Sequence, residues 1–103
     1  MYISVLKNKV TSDKNLILNH ISTCAIENKD IIIAYLTTRT YAVYAASAPT
    51  YDIVAENYSD KYIRVGFFDG KYEWTSEEIM YFEKYNLKLN KDFIHYILEQ
   101  HNC

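Results

Sequence analysis

An α+β fold built on a largely antiparallel sheet is what the sequence predicts, on three observations. Between Asp30 and Phe68 lie four short runs of β-branched, aromatic and small apolar residues, and the breaks between them are too short for crossover helices. Thr75-Ser76-Glu77-Glu78 has the layout of a helix start, after which apolar residues recur at helical spacing. A chain of 103 residues, half of them hydrophobic, suits one domain with a modest core. The expected sheet has roughly four to six strands in a meander over about 31-74. An N-terminal helix (about 12-27) and two C-terminal helices (about 76-86 and 91-101) cover it.

Tyr2 to Leu6 is a short apolar run and reads as a strand that joins the sheet. Thr11, Ser12 and Asp13 offer oxygen acceptors for a helix N-terminus, and Ile17, Ile21, Cys24 and Ala25 then recur at helical spacing. Ile31 to Leu36 reads as a strand that turns at Thr38-Arg39 and pairs with Tyr41 to Ala46, mostly setting large side chains against small ones. Thr40 to Ala48 also admits a short helix ending at Pro49, but the isoleucine run before it needs a strand neighbour.

Tyr51 to Glu56 alternates apolar and polar residues as a half-exposed strand does, and Asn57 to Asp60 has turn composition. Tyr62 to Phe68 is the next strand, with Gly66 marking a bulge or a close neighbour. Asp69-Gly70 suits a tight type I′ turn into a return strand, Lys71 to Trp74. Thr75 as N-cap and Glu78 as its reciprocal partner start the first C-terminal helix, and Asn90 starts the last, whose apolar face is Phe93, Ile94, Ile97 and Leu98.

The net charge of -2 divides unevenly. Five basic residues face three acidic ones through Thr50, and six face ten thereafter. This disfavours nucleic-acid binding, which needs a concentrated basic patch, and is too mild for a DNA mimic. No apolar run approaches the roughly 20 residues of a membrane span, and the first residues lack the layout of a secretion signal. Two cysteines, Cys24 and Cys103, make no disulfide framework, so reduced thiols and a cytoplasmic location are expected. The richness in Ile, Lys, Asn and Tyr matches an AT-rich genome such as that of a phage or a low-GC bacterium.

Chemistry has few carriers. Two glycines cannot build a phosphate loop, and Cys-x-x-Cys and His-Glu-x-x-His are absent, so the sequence shows no catalytic centre, cofactor site or metal site. His95 and Glu99, one helical turn apart, read as a solvated pair because two ligands seldom hold a metal. His20 and Cys24 have the spacing of a thiol-imidazole pair, yet Cys24 falls on an apolar helix side and reads as a buried thiol. Glu77 and Glu78 point about 100° apart on a helix and do not form a carboxylate pair. A minimal hydrolase using His20 or His95 is the weakest reading.

Surfaces remain. The eleven tyrosines supply contact area and hydroxyls at low entropic cost, although many will fill strand and core positions. Tyr51, Tyr58, Tyr62, Asp69, Tyr72, Trp74 and Glu77 lie in a segment where aromatic residues alternate with Asp52, Glu56, Asp60, Glu73 and Glu78. Aromatic anchors in an acidic surround suit a partner protein with a basic surface. The expected function is non-enzymatic: binding that blocks a partner such as a toxin or defence enzyme, the kind of task immunity proteins and phage anti-defence inhibitors perform. A tyrosine-lined pocket between sheet and helices that stacks a nucleotide-like ligand is the alternative. Sheet edges without strong charge protection also admit a homodimer.

Overall fold

A computed structural model describes residues 1–4, 6, 13–22, 26–38 and 41–101, and the side chains of 38, 41–48, 60, 61, 100 and 101 are not part of that description. The expectations for Thr11, Ser12, Cys24, Arg39 and Cys103 lie outside the described residues. In chain order the elements are α1 (Lys14–Leu18), α2 (Lys29–Thr38), β1 (Tyr41–Asp52), β2 (Asn57–Phe68), β3 (Glu73–Thr75), α3 (Ser76–Tyr85) and α4 (Lys91–His101). The class is α+β, as expected, with an antiparallel sheet in the order β1-β2-β3.

The Ile31 to Leu36 strand is corrected to a helix, and the meander loses its first member. Ile32, Tyr35 and Leu36 are buried at the i, i+3, i+4 spacing of a helix face, while Asp30, Ala34 and Thr37 are exposed. Three successive isoleucines favour strand locally, but the helix lets one face cover the core, and packing overrides propensity. Lys29 ties the start of α2 to the end of α3 through the Glu83 carbonyl (2.8 Å) and Asn86 Oδ1 (2.6 Å). The strand reading of 41–48 holds, and β1 pairs with β2 instead of with the isoleucine run.

The long β1–β2 hairpin turns earlier than the sequence suggests. Asn57 to Asp60 belongs to β2, and the reversal falls at Ile53 to Glu56, with Glu56 at φ 57. The cause is Asp52, whose Oδ1 accepts from the Val54 and Ala55 amides, each at 3.0 Å, and folds the chain back on itself. The ladder shifts register between Ala42 and Tyr44, opposite Phe67 and Gly66, the irregularity that a mid-strand glycine announces.

Phe68 pairs with Glu73, so β2 and β3 are joined by the four residues Asp69 to Tyr72 rather than by a two-residue type I′ turn. Asp69 Oδ1 accepts from Lys71 N (2.8 Å) and Tyr72 N (2.6 Å), and Gly70 takes φ 102, a value that side chains resist.

The N-terminal helix is also shorter than expected. Asp13 caps it by accepting from Asn15 N and Leu16 N, but α1 ends at Leu18. Beyond it, His20 O accepts from Lys88 N (2.7 Å) and Ser22 N donates to Tyr85 O (3.2 Å), so the backbone serves the α3–α4 connector instead of a helix. The expected Tyr2 to Leu6 strand reduces to two bridges, Tyr2 to Glu73 in β3 and Ser4 to Leu89 in the connector, with Ile3 wholly buried between them.

Helix α3 starts as read. Thr75 accepts from Glu78 N while Glu78 Oε1 accepts from Thr75 N (3.2 Å), and Asn86 closes the helix at φ 58. Helix α4 begins after Asn90, whose carbonyl takes the Phe93 and Ile94 amides, while its side chain donates to Tyr2 O (2.9 Å). Thr75→Ala is expected to lower stability by about 1–2 kcal/mol and Thr75→Ser to restore most of it, read from urea midpoints. A loss too small to measure would mean that the cap does not hold α3.

Candidate interaction surface

Helix α3 lies along one face of the β1–β2 hairpin, and the contacts are polar and specific. From the hairpin, Asp52 reaches Lys84 (2.9 Å) and the Tyr85 hydroxyl (2.7 Å), and the Tyr62 hydroxyl donates to Glu83 (2.6 Å). Arg64 stands 3.7 Å from Glu77, and Ser76 Oγ takes the Val65 amide (3.1 Å). The Tyr81 hydroxyl closes the array, accepting from Ile53 N (3.0 Å) and donating to Tyr51 O (3.3 Å). Burial of Tyr81 and Tyr85 pushes both phenols up to about 12, and Asp52 adds to the effect at Tyr85. Burial and then Glu83 likewise raise Tyr62.

On the opposite face of the same hairpin, no helix among the described residues packs over its exposed side chains. Tyr51 pairs with Tyr58 and Pro49 with Ile63, with a register shift between the two pairs, so the four residues lie close together near the tip of the hairpin. Tyr58 is 63% exposed, Ile63 52% and Tyr51 40%, and Pro49 is exposed as well. The Tyr51 and Tyr58 rings meet edge to face with centroids 5.1 Å apart. Ile63 was the residue sequence reasoning missed on this face. Its signal was the alternation with Tyr62 and Arg64, which both turn to α3.

The seven residues expected to form one contact surface therefore separate. Tyr51 and Tyr58 stand together at the hairpin tip. Tyr62 is half-buried against α3. Asp69 sits in the loop at the far end of β2, about 30 Å along the strand from the tip, and accepts from the Tyr35 hydroxyl (2.6 Å). Three others are corrected from surface to interior: Tyr72 packs edge-on to Phe93 (4.7 Å), Trp74 is fully enclosed, and Glu77 lies buried beneath Arg64. Trp74 fills the junction of β3, α2 and α4, with its indole N–H on Leu36 O (3.3 Å).

The acidic surround contracts for the same reason. Asp52, Glu77 and Glu78 are buried, and Glu78 accepts from the Ser4 hydroxyl. Glu56 stays exposed in the turn between Tyr51 and Tyr58, 3.8 Å from Lys14. Burial holds the Glu77 carboxyl above its usual range, and Arg64 only partly offsets this.

The remaining chemical candidates are accounted for by ordinary contacts. His95 and Glu99 are a solvated pair at 3.6 Å, and His20 Nδ1 engages Leu16 O (2.8 Å). Among the described residues no three His, Cys, Asp or Glu side chains gather as metal ligands, and no helix is long and apolar enough to cross a membrane. Comparison with protein-family models, with curated proteins and with solved structures found no match.

Proposed function

We propose that this chain is a non-enzymatic binding protein that occludes a partner protein with the outer face of its β1–β2 hairpin, acting in the cytoplasm. The observation that carries the reading is the exposed cluster Pro49, Tyr51, Tyr58 and Ile63 near the tip of a hairpin whose other face α3 pins in many places. A rigid backing suits such a role, because side chains already ordered before contact lose little entropy on binding. Tyrosines with an aliphatic neighbour are what energetic centres of interfaces use, and Glu56 at the border favours a partner with a basic flank. Blocking a toxin or defence enzyme, as immunity proteins and anti-defence inhibitors do, needs only such a face.

Tyr58→Ala combined with Ile63→Arg is expected to weaken partner binding by about 30-fold or more while lowering stability by only about 1–2 kcal/mol, mostly from the lost Tyr51 ring contact. Affinity capture from the native host with the intact chain and the variant in parallel, read by mass spectrometry, tests this. A prey recovered equally by both would overturn the assignment of this face. Analytical ultracentrifugation of the isolated chain separates a foreign partner from a second copy.

A further inference from the structure

Two adjoining grooves flank the α3–α4 connector, and neither is lined by Pro49, Tyr51, Tyr58 or Ile63. The larger, of about 730 Å³, is lined by Tyr2, Tyr72 and the segment Lys88 to Asp92. The smaller, of about 340 Å³, is walled by Ile21, Ile26, Phe82, Leu87 and Ile94. His20, Lys88, Leu89 and Lys91 line both, so the two share a border. That border is cationic. Lys88 and Lys91 are exposed and have no carboxylate partner among the ion pairs of the described residues. Asp92 lines only the larger groove, and among the described residues no acidic side chain lines the smaller one.

From this geometry we infer that the connector grooves bind a single-chain anionic amphiphile, its carboxylate or phosphate head between Lys88 and Lys91 and its alkyl chain in the apolar groove. Charge complementarity selects the head, since the rim is positive in a protein that is negative overall. The aliphatic walls select the tail, and both volumes fall in the range of small-molecule sites. The site is separate from the hairpin face, so either assignment can fail without the other.

Titration calorimetry of the full chain with octanoate, decanoate, decanol and inorganic phosphate tests the inference. Decanoate is expected to bind, octanoate about tenfold more weakly because two methylenes leave the groove, and phosphate without a tail not measurably. Lys88→Gln with Lys91→Gln, two exposed positions that leave the fold intact, is expected to weaken decanoate at least tenfold and leave decanol unchanged. Ile94→Trp is expected to abolish the binding of both by filling the tail groove. No heat with decanoate, equal affinity for decanoate and decanol, or indifference to the lysine changes would each overturn it. So would sedimentation with anionic phosphatidylglycerol vesicles in the absence of decanoate binding, which would make the grooves a membrane contact.

Discussion

Trp74→Ala is expected to destabilise the protein by about 3–5 kcal/mol, the largest single loss available to one substitution here. The indole is wholly enclosed, between the rings of Phe93 (centroids 5.7 Å), Tyr35 (6.2 Å) and Phe67 (6.3 Å). It is the point where α2, α4 and the sheet meet, so none of these elements can close the cavity without leaving another. A domain of this size holds about 5–15 kcal/mol in total, and the variant would sit near the edge of folding. Trp74→Phe keeps most of the ring volume but removes the indole donor to the Leu36 carbonyl, and should cost roughly 1–2 kcal/mol. Urea unfolding followed by circular dichroism measures both, since the variants lack the only tryptophan. A loss under about 1 kcal/mol for the alanine variant would contradict the enclosed position.

How legible this fold was depended on how local each signal is. The Thr75–Glu78 capping box is a four-residue device, and it opens α3 where the sequence places it. The periodic apolar face after Asn90 is nearly as local, and α4 follows it. Residues 31–36 failed because three isoleucines satisfy strand propensity and a buried helix equally well. Only the position of Trp74, supplied by a strand some forty residues later, decides between them. Asp52 failed for a related reason. Its place in an alternating run suggested an exposed strand residue, whereas burial against Lys84 and Tyr85 makes it the pivot of a turn.

The candidate surface shows the same division. Acidic neighbours made Trp74 and Tyr72 look exposed, but Glu73, Glu77 and Glu78 flank elements that are covered from outside by α2 and the N-terminal segment. Which aromatic residues face water is set by what packs over them, and that information is not in the flanking residues. Tyr51 and Tyr58 were identifiable as residue types, yet their pairing across a hairpin depended on a turn placed four residues earlier than composition implies. Moving that turn is what brings them side by side.

The hairpin face is therefore only as well defined as the contact that fixes the turn. Asp52→Ala is expected to cost about 3 kcal/mol and to reduce partner binding along with stability. The carboxylate accepts from two turn amides, Lys84 and Tyr85, and the variant leaves the amides and the phenol without their acceptor. Lys84 is 41% exposed and can return to water, which keeps the loss below that of a fully buried pair. The acid dependence follows in sign. Burial alone would raise the Asp52 pKa, but the Ala55 amide, Lys84 and Tyr85 together hold it below its ordinary value. A carboxyl depressed on folding contributes fully above its unfolded pKa of about 3.9 and loses that contribution as pH falls through the folded value. Glu77, raised by burial, acts in the opposite sense and opposes folding as pH climbs past its unfolded value. Stability measured from pH 7 down to pH 3 should therefore fall less steeply below pH 4 in Asp52→Asn than in the parent, and Glu77→Gln should steepen the acid limb. An Asp52→Asn profile parallel to the parent's would show that this carboxyl does not anchor the hairpin to α3, and the ordered contact face would need another support.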